Sequence, residues 1–127
     1  MRILKDVVLL DGFVDRRGRR YDRRDIEQQI KGKPFFGELD SDHGLDINLS
    51  RVSHSIENMS ISDSGLHGDI KILDTPCGKI AESLLDAGVK LTTSIRATGY
   101  LNDDQSVSDL MLITFDLTKE DKDEQRI

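Results

Sequence analysis

Tryptophan is absent from this chain, cysteine occurs once, at Cys77, and proline twice, at Pro34 and Pro76. A single thiol excludes an intramolecular disulfide, so the fold does not require an oxidising compartment. With three histidines and neither a Cys-x-x-Cys nor a His-x-x-x-His spacing, a structural zinc site has no ligand set. No run of about 18 apolar residues occurs, and Met1 to Leu10 is too short and too charged for a signal peptide, so no membrane association is expected. A Gly-x-x-x-x-Gly-Lys run is missing, and Gly65 to Gly68 lacks a phosphate-cradle pattern, which leaves nucleotide chemistry without a seat. Basic residues are in the minority: 18 Lys and Arg against 24 Asp and Glu leave a formal charge of −6. The one basic cluster, Arg16 to Arg24, is interrupted by Asp22 and reads as a solvated turn, so a nucleic-acid partner held by counterion release is not expected.

What is present suffices for one folded unit. The 127 residues are 36% hydrophobic and 33% charged, which suits a single soluble domain with a strongly solvated surface. Leu4 to Val14, broken at Asp11-Gly12, predicts one or two short strands, and Arg17-Gly18-Arg19 a turn. Asp22 caps a helix carrying Ile26 and Ile30 that ends near Gly32. Pro34 to Leu39 is extended, and Asp40 to Ser50 is a loop. A hairpin follows: Val52, His54 and Ile56 share one face, the run continues through Met59 and Ile61, and a turn at Asp63-Ser64-Gly65 leads to Leu66, Ile70 and Ile72. Thr75 and Pro76 open the clearest helix, with Cys77, Ile80, Ala81, Leu84 and Leu85 as its apolar stripe and Gly88 at its end. Val89 to Ile95 and Val107 to Leu117 read as strands. The pattern predicts an α+β domain over residues 1–118, a mainly antiparallel sheet or barrel with two or more short helices, and a flexible charged tail over 119–127.

Candidate chemistry is sparse. Asp40, Asp42, His43 and Asp46 lack the glycine turn and terminal glutamate of a calcium loop, so no metal and no cofactor is expected. Nucleophilic catalysis needs a hydroxyl or thiol, a base within reach and donors for an oxyanion. Ser94 and His43 are the best pair: Ser94 ends a β-prone run ahead of Arg96 and Gly99, and His43 sits between Asp42 and Gly44 in a polar loop. Each also reads, more plainly, as a strand serine and a solvent-exposed histidine. Cys77 lies on an apolar helix stripe, where a thiol packs and is inert. His54 alternates with apolar residues and reads as a hydrogen-bonded, semi-buried histidine, and His67 as an exposed one.

An ordered series of segments resembles the phage prohead (head maturation) proteases, relatives of herpesvirus assemblin. The segments are Gly18-Arg19-Arg20-Tyr21; Gly37-Glu38-Leu39-Asp40 leading to His43; Arg51 to Ile56; Gly68 to Lys79; and Gly88 to Gly99 with Thr92-Thr93-Ser94-Ile95-Arg96. The resemblance spans about Gly18 to Asp116. It implies an assemblin-like fold and a serine endopeptidase that cuts scaffold and capsid proteins, and itself, inside the assembling prohead in the host cytoplasm, with monomer, homodimer and larger assembly all open as the active form. It further implies Ser94 as nucleophile, His43 as general base, Arg96 with nearby amides at the oxyanion, and Asp116 as third member, with His54 competing for that place. Relatives commonly read Leu-Asp-His-Pro, whereas Asp40-Ser41-Asp42-His43-Gly44 is two residues longer and lacks the proline. That difference motivates an alternative: a catalytically silent module that binds head proteins on the same fold.

Overall fold

The computed structural model describes residues 2–42 and 44–120. Strands β1 (Ile3–Asp11), β2 (Arg20–Tyr21), β3 (Phe35–Glu38), β4 (Val52–Ser62), β5 (Gly65–Ile72), β6 (Leu91–Leu101) and β7 (Ser106–Lys119) are joined by helix α1 (Arg23–Ile30) after β2 and helix α2 (Pro76–Asp86) after β5. One sheet runs β1-β5-β4-β3 with antiparallel pairing throughout; the other runs β2-β7-β6, with the two-residue β2 parallel to β7. A parallel bridge from Leu39 to Leu117, with the Asp40 amide donating to the Leu117 carbonyl at 2.8 Å, brings β3 against β7. The architecture is the expected α+β, mainly antiparallel one, but the barrel alternative is corrected. Among the described residues β1 pairs only with β5 and β6 only with β7, and a cleft lies between their edges instead of a ladder.

The core gathers Ile26, Ile56, Leu66, Ile70, Phe115 and Leu117, all essentially inaccessible. Reaching it from long strands requires changes of phase. Ile56 and Ile61 both pack on the core although they are an odd number of positions apart, which an unbroken strand with period two forbids. The structure resolves this with a bulge: Asn58 and Met59 lie opposite one residue of β5, and Asn58 takes φ 54°. Asp6 (φ 50°) does the same in β1 and Asp109 (φ 54°) in β7. All three are Asx residues, the non-glycine types that best tolerate the left-handed region. Asp69 ties two of the bulges together, accepting from the Asp6 amide and the Asn58 side chain at 2.9 Å each. Those two bonds, ahead of the nearby Lys5 charge, hold its carboxyl below the usual range.

Both helices start as their caps dictate. Asp22 accepts from the Arg24 amide, and Thr75 Oγ1 accepts from the Gly78 amide at 2.9 Å while donating to the Val52 carbonyl. The buried face of α2 differs from the expected stripe: Gly78 and Ala81 are inside, whereas Ile80 is 51% exposed. The cause is close approach. A Cβ on Gly78 would lie 1.9 Å from the Leu73 carbonyl oxygen and 2.9 Å from that of Ser53, so only glycine lets α2 settle directly onto the backbones of β4 and the segment after β5. Gly78→Ala is expected to cost about 1–3 kcal/mol or more through overpacking, read as a lower midpoint in thermal denaturation followed by circular dichroism.

Candidate active site

The alternation of β6 and β7 places Thr93, Ile95, Phe115 and Leu117 on the core side, so Ser94, Arg96, Thr114, Asp116 and Thr118 occupy the other. A polar sheet face ordinarily meets water. Here Arg96, Thr114, Asp116 and Thr118 are nonetheless buried, under β3 and the loop that follows it. Burying that much polarity is costly unless each group is bonded, and most of the bonds converge on Arg96.

Arg96 is 4% exposed. Its Nε donates to Asp116 Oδ2 (2.9 Å), and its Nη2 to Asp116 Oδ1 (2.7 Å) and Glu38 Oε2 (3.0 Å). Its Nη1 reaches the carbonyls of Gly44 (2.9 Å) and Asp46 (3.4 Å). A guanidinium has five N–H donors, and these five acceptors use them all. Burial opposes the charge, but the bonds to Asp116 and then Glu38 outweigh it and raise the Arg96 pKa above its ordinary value. Asp116 also accepts the Glu38 amide at 2.9 Å, and Glu38, wholly inaccessible, accepts the Asn48 amide at 2.8 Å. Glu38 is the site residue that sequence reasoning missed; the signal available was an acid inside the apolar run Phe35-Phe36-Gly37-Glu38-Leu39.

Ser94 is half-buried and pairs directly across the ladder with Asp116, where facing Cβ atoms stand about 4.5–5.5 Å apart. It lines a cleft of about 520 Å³ between the open edges of β1 and β6, shared with Ser41, Arg96, Asp116 and Thr118. Thr118 Oγ1 is buried with no hydrogen-bond partner among the described residues. The turn after β1 forms the far wall. There Asp15 accepts from Tyr21 Oη (2.7 Å) and Arg19 Nε (2.6 Å), while Arg16 Nη2 extends to the Thr93 carbonyl at 3.4 Å, next to the serine. Burial works against the Asp15 charge, but the Tyr21 and Arg19 bonds prevail and hold its carboxyl below the usual range. Burial first, and then Asp15, push the Tyr21 phenol well up.

The sequence-derived residues therefore fall into distinct situations. Ser94, Arg96 and Asp116 are brought together. His43 lies outside the described residues, but Gly44, which follows it, is held by Arg96. In this arrangement the Arg96 guanidinium binds carboxylates and loop carbonyls through all five of its N–H groups. His54 is fully buried, with Nε2 donating to the Phe115 carbonyl (2.8 Å) and Nδ1 2.7 Å from Ser53 Oγ, so both ring nitrogens are occupied and it lacks a lone pair for a triad. A Cβ on Gly37 would come within 2.2 Å of that Nε2, so glycine at 37 is what lets β3 pass over the ring. Cys77 is half-exposed, its Sγ 3.8 Å from the Ser50 carbonyl oxygen, and His67 is half-buried at 3.2 Å from Ser64 Oγ.

Compared with solved structures, the chain is similar to the capsid assembly protease gp21 of bacteriophage T4, with a TM-score of 0.77 over 94% of this chain and 91% of that one at 20% sequence identity. The fold is shared with a phage capsid assembly protease. No protein-family model matches the chain, and no curated protein does. The comparison shows a likeness of fold at low identity, as expected where alternation can be kept by many residue choices. No helix among the described residues is long and apolar enough to cross a membrane.

His54 gives the site a measurable pH dependence. Burial, opposed by the Phe115 carbonyl and the Asp116 charge, lowers its pKa from the ordinary 6.5. Below that ordinary value the unfolded chain binds the proton that the folded chain refuses, so stability is full above about pH 6.5 and falls as pH drops toward the folded value. Thermal melts from pH 7.5 to 5.5 are expected to show a declining midpoint, with a shallower decline in His54→Gln.

Proposed function

We propose that this chain is a serine endopeptidase of phage head maturation, acting on scaffold and capsid proteins, and on itself, inside the prohead in the host cytoplasm. The observation that carries the reading is the likeness to the T4 capsid assembly protease over nearly the whole chain, joined to a serine in a cleft opposite a buried carboxylate. The assemblin-like relationship belongs to the same proposal and rests on the sequence resemblance.

In this reading Ser94 attacks the scissile carbonyl, and His43 takes its proton and returns it to the leaving amine. Asp116 is the third member. Its Oδ2 accepts one bond, from Arg96, and keeps a lone pair for an imidazole N–H. His54 leaves the competition because its nitrogens are already bonded. The oxyanion falls to backbone amides, since Arg96 is saturated.

One observation favours a second reading, a catalytically silent module that binds head proteins on this fold: the guanidinium expected at the oxyanion is wholly committed elsewhere. Incubating wild-type and Ser94→Ala protein with the phage's own scaffold protein, read by intact mass, separates the two. The protease reading expects defined cuts that fall by about 10⁴-fold or more in the variant; equal cutting by the variant overturns Ser94 as nucleophile, and no cuts with wild type, even in assembled proheads, favour the silent module.

A further inference from the structure

Resting on the protease reading, we propose that Glu38 is a positioning residue: together with Arg96 it holds the backbone at Gly44, Asp46 and Asn48, which follow His43 in the sequence, and so sets the reactivity of Ser94. The loop from Asp40 to Asn48 contributes only Ser41 to the buried set among its described residues, with Leu45 72% exposed, so apolar packing does not shape it. Its backbone is held by polar bonds instead. At the near end the Asp40 amide donates to Leu117, and Arg51 Nη2 donates to the carbonyls of Leu39 and Asp40 at 2.7 Å each. At the far end Gly44, Asp46 and Asn48 are all tied to one ionic cluster: the two carbonyls to Arg96, and the Asn48 amide to Glu38.

That cluster is built on the strands that hold the serine. Arg96 is two residues along β6 from Ser94, on the same face, and Asp116 is the cross-strand partner of Ser94. Glu38 closes the arrangement from β3, because one oxygen, Oε2, takes both the Arg96 Nη2 and the Asn48 amide. Glu38 touches no reacting atom; it acts through the loop. Arginine is required because a planar fork can bind two carboxylates and two carbonyls at once, which a lysine ammonium cannot.

The test uses the full chain and a fluorophosphonate probe, whose rate of labelling at Ser94 reports serine activation without a peptide substrate, alongside scaffold cleavage. Glu38→Met removes both acceptors at similar volume; labelling and kcat are expected to fall more than 10-fold with KM changed less than 3-fold. Glu38→Gln keeps an oxygen that can accept from Asn48 and Arg96, and is expected to recover most of that loss. The acidic limb of the pH–rate profile is expected to move in Glu38→Met and to return in Glu38→Gln. If Glu38→Met does not fold, Asn48→Pro, which deletes the tethering N–H at an exposed position and leaves the ion cluster intact, is expected to slow labelling in the same way. Wild-type rates and an unmoved pH profile in a folded variant overturn the positioning role while the protease reading stands. Absence of Ser94 labelling in wild type, in solution and in proheads, overturns the protease reading and the positioning role with it.

Discussion

A guanidinium buried between two carboxylates is the constraint on which the rest of this structure is arranged. Removing such charges from water is expensive, and their attraction repays the cost only when geometry is good and every remaining donor is met. Arg96 meets that condition with Asp116, Glu38 and two loop carbonyls. The three side chains come from β6, β7 and β3, so satisfying one residue joins the strands of the two sheets and pins the loop between them. The Leu39–Leu117 bridge adds a single backbone connection at the same seam. The seam is therefore held by an ionic cluster.

The same arrangement explains why the cleft is polar on one wall. Thr114 donates to the Phe36 carbonyl and the Glu38 amide to Asp116, while His54 of β4 donates to the Phe115 carbonyl, so β3 and β4 are both stitched onto β7 through side chains where a continuous ladder is missing. Gly37 is the point of closest approach. Ser94 stands at the rim of this seam, and the turn from Asp15 to Arg19, braced by Tyr21, faces it across the opening.

Local chemistry was legible in the sequence wherever one residue decides an outcome. Asp22 and Thr75 cap their helices, Pro76 opens α2, and Asp63-Ser64-Gly65 turns the β4–β5 hairpin, as their side chains dictate. The phase change from Ile56 to Met59 and Ile61 was visible too, although the bulge at Asn58 that it demands was not anticipated. What escaped was set by tertiary packing: the rotation of α2 onto Gly78, the open edge between β1 and β6, and the burial of a face that reads as polar. For the site, the ordered motifs pointed to Ser94, Arg96 and Asp116, which the fold assembles. The role of Glu38 was hidden because sequence spacing says nothing about which cation an isolated acid will meet.

The opening between β1 and β6 bears on solubility. Among the described residues β1 and β6 each leave one edge without a strand partner, and such edges invite edge-to-edge association with other chains. This chain guards both. The edge of β1 is interrupted by Lys5 and the bulge at Asp6, and the carbonyl of Thr93 on β6 is covered by the Arg16 guanidinium. A flat, uncharged strand from another copy finds neither a straight ladder nor an uncovered carbonyl at Thr93. A strand approaching there must first displace a charged side chain, which raises the cost of indiscriminate pairing.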